Sequence, residues 1–122
     1  MIDAAAVRRL ALALPEAADE SRPDRLAFSV GGKGFAWTYL VRERLRGPRR
    51  PRLEVLAVRC ALERKEMLIA AAPDRFFDDD HYRGYPAVLV RLEQVDEAEL
   101  AGLLDAAWRL IAPAALVKRR GG

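Results

Sequence analysis

The sequence is poor in cysteine and histidine. It contains one cysteine, Cys60, and one histidine, His81. A single cysteine excludes an internal disulfide, and no cluster of cysteines or histidines has the spacing of a zinc site. We therefore expect a protein without a metal or a cofactor, and we predict that Cys60 is a small buried apolar residue.

The sequence also lacks long hydrophobic runs. Although 52% of the 122 residues are hydrophobic, no apolar stretch reaches the roughly 18 residues that a membrane span requires. No signal-peptide pattern is visible either. A chain of this size is expected to fold as one domain around a single core. These features predict a soluble cytoplasmic protein that does not bind membranes, and we expect a monomer or a weak dimer.

Positive charge, by contrast, is concentrated in two segments. Residues 42–52 carry a formal charge of +5, from six arginines and one glutamate, and residues 118–120 add +3. Because the whole chain carries only +3, the remaining residues carry a net −5. The arginines of the first segment, called the arginine segment below, are Arg42, Arg44, Arg46, Arg49, Arg50 and Arg52. Guanidinium groups present planar pairs of donors that suit phosphate and carboxylate partners.

The arginine segment has more than one interpretation. It is a candidate nucleic-acid-binding site that neutralises phosphates without reading bases, because no recognition helix rich in Arg, Asn or Gln is evident. Alternatively, it is a solvated loop whose arginines pair with the acids of residues 16–24 or 78–80. A function of a different class, a protein-interaction or chaperone-like module, would use the same arginines to meet an acidic partner.

Hydrophobic periodicity and, for the second of them, a composition rich in helix formers predict three helices. The first lies around residues 7–14 with Asp3 as its N-cap, the second covers residues 63–72, and the third runs from an N-cap at Asp96 to residue 111. Pro113 ends or kinks the third helix. The basic residues from about 117 onward are a candidate disordered tail.

Alternating apolar residues predict four strands. Residues 26–30 and 35–40 flank a glycine-rich turn and form a hairpin, and residues 53–60 and 87–92 form two more strands. Residues 16–24 are predicted to be a solvated loop, and the proline-containing arginine segment is the predicted connection into the third strand. This order predicts an α+β fold, a two-layer sandwich in which an antiparallel sheet carries helices on one face.

The aromatic residues suggest a second candidate site. Phe35, Trp37 and Tyr39 alternate along one predicted strand, and they either fill the core, which we favour, or stack on unpaired bases if they are exposed. Tyr82 and Tyr85 either line a small-molecule groove or lie half-buried at a strand edge. The candidate groove residues are Trp37, His81, Tyr82 and Tyr85.

Two motifs suggest chemistry but lack its context. Residues 31–34 (GGKG) are reminiscent of a phosphate-binding loop, yet a P-loop needs GxxxxGK[ST] between a strand and a helix, so we predict a hairpin turn. His81 follows three aspartates, which suggests a metal or acid–base role. However, consecutive aspartates cannot all point one way, and no sequence signature links His81 to a nucleophile. We therefore predict no catalytic residues and no enzymatic activity.

Several strings of this sequence resemble a known family. Residues 11–17 read ALALPEA, residues 28–36 read FSVGGKGFA, residues 81–92 read HYRGYPAVLVRL, and residues 107–110 read AWRL. In this order they resemble the MmcQ/YjbR-like family of small bacterial proteins over nearly the whole chain. The resemblance implies an α+β fold similar to secretion-chaperone-like domains and a DNA-binding role that rests on shape analogy. The chain departs from the family pattern after His81, where many members carry Asn-Lys and then His-Trp.

Overall fold

The chain folds into one antiparallel sheet with helices packed against it. The computed structural model describes residues 2–42 and 49–121. The helices are α1 (Ala4–Leu12), α2 (Leu62–Ala71), α3 (Glu97–Ile111) and α4 (Ala114–Arg120). The strands are β1 (Ala18–Asp19), β2 (Ala27–Val30), β3 (Lys33–Arg42), β4 (Arg49–Arg59), β5 (Phe76–Phe77) and β6 (Ala87–Arg91).

The six strands form a sheet in the order β1-β2-β3-β4-β6-β5, and every neighbouring pair is antiparallel. The main core lies between this sheet and the helices, where Val7 of α1, Trp108 of α3 and Leu116 of α4 pack with Phe28 of β2. The predicted α+β two-layer fold is therefore confirmed. Within the described ranges, α3 is the longest helix at 15 residues, and no helix is long and apolar enough to cross a membrane.

The helix ends follow the predicted chemistry. The Asp3 carboxylate accepts a hydrogen bond from the Ala6 amide at 2.9 Å, and the Asp96 carboxylate accepts one from the Glu99 amide at 2.7 Å. Each aspartate satisfies an amide that has no partner within its helix. The apolar stripe of α3 is buried as predicted, including Leu104 and Trp108.

The candidate disordered tail is instead the helix α4. Pro113 stands immediately before it, at a position where a missing amide hydrogen is tolerated. Leu116 is buried in the core, and Arg120 Nε donates to the Asp105 carboxylate of α3 at 2.7 Å. An apolar anchor and an ion pair thus order a segment whose basic composition suggested disorder.

Two other predictions are corrected by strand pairing. β4 begins at Arg49, so the second half of the arginine segment is a strand paired with β3 and not a connecting loop. Pro51 is tolerated there because β6 pairs with β4 only from Val55 onward, which leaves one side of the strand unpaired at Pro51. The predicted loop at residues 16–24 contains β1, which pairs with β2 along the sheet edge.

The aromatic stripe of β3 divides between the two faces of the sheet. Phe28 pairs with Ala36 while Ser29 pairs with Gly34, so Phe35 is an extra residue that has no partner on β2. Such a bulge shifts the alternation of side chains by one position. Phe35 therefore lies in the core under the helices, and the prediction that Trp37 and Tyr39 share its face is wrong.

Candidate functional site

No helix in the described part of the chain covers one face of the sheet, and we call it the open face. Its residues on β3 and β4 lie opposite each other in cross-strand pairs: Trp37 with Ala57, Tyr39 with Arg52, and Val41 with Arg50. Residues opposite each other in an antiparallel pair project from the same face. The buried cluster on this face includes Phe77 and Leu89, and no described helical residue belongs to it. The open face therefore brings part of the arginine segment beside the aromatic residues of β3.

Residues 78–86, called the cover segment here, fold over part of the open face. Tyr82 is only 6% exposed, and its ring centroid lies 5.9 Å from that of Tyr39. The Trp37 indole Nε1 donates a hydrogen bond to the Tyr82 hydroxyl at 3.0 Å. The cover segment thus fixes the orientation of Trp37 on the open face.

A buried lysine on α2 holds the cover segment in place. Lys65 is 3% exposed, and its Nζ donates to the carbonyl oxygens of Tyr82 at 2.6 Å and Tyr85 at 3.0 Å. The same Nζ lies 3.1 Å from Asp78 Oδ1. A buried ammonium group is stable only when it is paired and hydrogen-bonded, and these three oxygens meet that need.

Sequence analysis did not single out Lys65, although a signal was present. Lys65 begins a helical row at i, i+3, i+4 and i+7 whose other members are Leu68, Ile69 and Ala72. These apolar residues lie in or against the main core, so a lysine in the same row is also turned inward. Met67 of the same helix lies outside this row and is exposed.

Asp79 ties the cover segment to the sheet. The Tyr39 hydroxyl donates to Asp79 Oδ2 at 2.5 Å, and the Tyr82 amide donates to Asp79 Oδ1 at 2.7 Å. Burial, together with the hydrogen bond to this carboxylate, raises the pKa of the Tyr39 hydroxyl well above its ordinary value. The Tyr39 hydroxyl therefore keeps its proton and donates a hydrogen bond to Asp79 at any physiological pH.

The three consecutive aspartates point to different partners. Asp78 meets Lys65, Asp79 meets Tyr39, and Asp80 pairs with Arg83 at 2.7 Å. Across residues 2–42 and 49–121, no group of three histidine, cysteine or acidic side chains is arranged to hold a metal ion. The acidic turn beside His81 thus serves to position the cover segment.

The four candidate groove residues lie together around one depression on the open face. This aromatic groove has a volume of about 350 Å³ and is lined by Trp37, His81, Tyr82 and Tyr85. The Trp37 and Tyr85 rings are 6.4 Å apart between centroids with an angle of 74° between their planes. Tyr82 and Tyr85 are 5.9 Å apart at 79°. The rings therefore contact one another edge to face and present aromatic surface to a ligand.

A second and larger groove lies farther along the open face. This arginine groove has a volume of about 420 Å³, and its lining residues are Tyr39, Val41, Arg52, Glu54, Val55, Phe77, Arg91, Glu93 and Gln94. The Arg91 guanidinium lies 4.1 Å from the centroid of the Phe77 ring and donates to the Pro73 carbonyl oxygen at 3.2 Å. The stacking and the hydrogen bond hold one cation in a fixed orientation at the edge of the groove.

The arginine segment is described only in part. Arg44 and Arg46 lie outside the described residues, and Arg42 and Arg49 are described only as backbone positions of β3 and β4. Arg50 is exposed, and no ion pair joins it to any described carboxylate. Arg52 Nε lies 2.6 Å from Glu54 Oε1 on its own strand. Among the described residues, Arg50 therefore has no ion pair with the acids at residues 16–24 or 78–80, and Arg52 has an ion pair with Glu54.

Cys60 and the glycine turn have structural roles. Cys60 is buried at the end of β4, as predicted, and burial raises the pKa of its thiol. A raised thiol pKa disfavours the reactive thiolate. Gly31 and Gly32 have positive φ angles of 57° and 80°, which is the geometry of the predicted hairpin turn between β2 and β3.

A six-stranded antiparallel sheet with helices on one face and an open second face defines a two-layer α+β protein. The model of the YjbR family matches residues 12–110. The chain belongs to the YjbR family.

Similar proteins align with this chain over most of their own length. Uncharacterized proteins of Mycobacterium bovis and Mycobacterium tuberculosis are each 35% identical to it over 119 residues, which cover 92% of this chain and 90% of the relative. The crystal structure of a Deinococcus radiodurans protein with a DUF419 domain superposes with a TM-score of 0.69. That structure is 23% identical in sequence, with 98% of this chain and 88% of the other covered. This similarity supports the fold.

Proposed function

We propose that this protein binds nucleic acid through the open face, without catalysis, and that the arginine segment is the main contact to phosphates. The observation that carries the proposal is the register of β3 and β4, which puts Arg50 and Arg52 on the same face as Trp37 and Tyr39. Phosphate contacts supply most non-specific affinity for nucleic acid, and neighbouring aromatic rings supply a stacking surface. The open face combines both.

Several cations on the open face are available to an anionic ligand. Arg50 is exposed, and neither it nor the half-buried Arg59 and Arg91 has an ion pair with a carboxylate in the described part of the chain. The Arg52 and Glu54 side chains are about half exposed, and an exposed pair contributes little stability, so this ion pair is a weak competitor for a phosphate. The formal +5 of residues 42–52 adds to this potential.

The proposal is tested by fluorescence anisotropy of labelled oligonucleotides over a range of salt concentrations. If four to six arginines engage phosphates, log K falls against log salt with a slope of about −2.8 to −4.2 for a single strand and about −3.6 to −5.4 for a duplex. Arg50→Glu is expected to weaken binding. It should also make the slope of log K against log salt shallower, by about the contribution of one phosphate contact. A slope near zero would refute the proposed function.

The matched control is Arg64→Glu, which makes the same change of charge. Arg64 is an exposed residue of α2 that has no ion pair with any described side chain. It lies outside the cluster of the open face. We expect Arg64→Glu to bind nearly as the unaltered protein does, because it removes general charge but no proposed contact. Equal losses in both variants would mean that binding follows net charge and not the open face.

An acidic protein partner is the second candidate, and one observation favours it. Leu53, which follows Arg52 on β4, is 53% exposed, so the surface of this strand offers an apolar side chain as well as cations. Such a combination is common where proteins bind proteins. Competition with polyglutamate distinguishes the two functions. Polyglutamate is added until its concentration of negative charges equals that of the oligonucleotide. If it then displaces the bound oligonucleotide, an acidic protein is the preferred partner.

A further inference from the structure

The aromatic groove suits a ligand that the arginine segment alone does not specify. We propose that this groove binds one unpaired nucleobase, so that the nucleic acid bound by the open face is single-stranded. This inference rests on the proposed nucleic-acid binding and deepens it, since it names the form of the ligand. It depends on ring exposure, local rigidity and local charge at the groove.

The groove presents ring surface to solvent. Tyr85 is 42% exposed, His81 is exposed, and Trp37 is half-buried. Rings that only filled the core would be fully enclosed, as Trp108 is at 0% exposure. Stacking on such exposed rings is tolerant of sequence, because every base has a π face.

The groove is rigid before any ligand binds. Trp37 is fixed by its hydrogen bond to the Tyr82 hydroxyl, and the backbone of Tyr82 and Tyr85 is fixed by the buried Lys65. Asp79 accepts a further hydrogen bond from the Tyr82 amide. Because these groups are already ordered, a ligand loses little affinity to ordering them.

Charged side chains in and against the cover segment have partners of opposite charge. Lys65 is paired with Asp78, and Arg83 is paired with Asp80. Aromatic walls beside ion pairs that are already formed favour a neutral planar ring over a phosphate group. The phosphates are then left to the arginines outside the groove.

Arg59 places a positive charge next to an aromatic ring of the groove. Its guanidinium carbon is 5.9 Å from the centroid of the Trp37 ring, and its Nε donates to the Gly34 carbonyl oxygen at 2.9 Å. Farther along β3, Val41 lies opposite Arg50. At about 3.4 Å per residue, four residues of a strand separate Trp37 from Val41 by about 14 Å. A short, extended single strand of nucleic acid can therefore contact the aromatic groove and the arginine segment at the same time.

A duplex does not meet these requirements, because its bases are paired and stacked within the helix. The experiment compares three probes of equal length: oligo-dT, an abasic oligomer with the same phosphates, and the duplex of oligo-dT with oligo-dA. We expect oligo-dT to bind about 5- to 150-fold more tightly than the abasic oligomer, the range that one stacked base supplies. Binding of oligo-dT should also quench tryptophan fluorescence. The change can be assigned to Trp37, because the other tryptophan, Trp108, is fully buried.

Tyr85→Ala tests the groove itself, because its side chain is exposed and its truncation leaves the Trp37–Tyr82 hydrogen bond in place. It should lose about 5- to 150-fold in affinity for oligo-dT and keep its affinity for the abasic oligomer. Met67→Ala, which truncates an exposed side chain on α2, is the matched control. Equal affinities for oligo-dT and the abasic oligomer, with the salt slope intact, would overturn the base site and leave the proposed function standing. Failure of all three probes to bind at low salt would overturn both.

Discussion

The two faces of the sheet are stabilised by different kinds of interaction. Under the helices, Phe28, Leu104 and Trp108 are almost completely buried among other apolar side chains. On the open face, Tyr39 and Tyr82 are also buried, but each has a polar partner for its hydroxyl. Apolar burial has no preferred direction, whereas hydrogen bonds fix orientation. The covered face thus supplies most of the stability, and the open face holds particular groups in particular positions.

This difference explains why the candidate site lies on the open face. A binding surface needs side chains that keep their orientation without being covered. The cover segment achieves this with Lys65 and Asp79, which hold its backbone, while Tyr85 and His81 stay exposed. The following predictions test whether the two faces can be changed separately.

The largest expected effect is on the covered face. Leu104→Ala removes a completely buried side chain from α3 and should lower the free energy of unfolding by about 2–5 kcal/mol, because the space left behind is only partly refilled. Urea denaturation measures this value. Leu110→Ala, on the exposed side of the same helix, is the control and should change it by less than about 0.5 kcal/mol. Oligonucleotide binding by the folded fraction should be unchanged in both variants.

A smaller loss of stability and a local effect are expected from Lys65→Met. Methionine keeps most of the packing volume but removes one of the two donors to each carbonyl oxygen of Tyr82 and Tyr85, and it removes the counter-ion of Asp78. Stability should therefore fall by about 1–3 kcal/mol. Hydrogen exchange should accelerate at the amides of Tyr82 and Tyr85, which are hydrogen-bonded within the cover segment. Arg64→Met, at the neighbouring exposed position, should do neither. Unchanged exchange in the cover segment would show that Lys65 does not hold it.

Much of the fold could be predicted because its signals are local. The α3 stripe, the aspartate caps and the glycine turn each depend on residues within a few positions of one another, and all are present. The division of the β3 aromatics could not be predicted in this way. It depends on one unpaired residue, Phe35, and thus on which residue of β2 lies opposite each residue of β3.

The candidate site shows the same limit. Trp37, His81, Tyr82 and Tyr85 were proposed together from their chemistry, and they line one groove. The group that orders this groove was missed, because Lys65 reaches carbonyl oxygens 17 and 20 residues away in sequence. Carbonyl oxygens are present at every position, so their spacing in sequence carries no signal. Only the packing of α2 beside the cover segment brings them to the lysine.

The smallest expected effect is that of Tyr39→Phe, which removes one hydroxyl from the open face. The lost hydrogen bond to Asp79 should lower the free energy of unfolding by about 0.5–1.5 kcal/mol near neutral pH. Because the pKa of Tyr39 is raised in the folded protein, its contribution is complete below the unfolded value of about 10 and is lost as pH rises above it. The difference between the two proteins should therefore shrink in urea titrations above about pH 10. Tyr85→Phe, which alters an exposed hydroxyl, is the control, and an equal pH response in both variants would show that the Tyr39–Asp79 bond does not stabilise the open face.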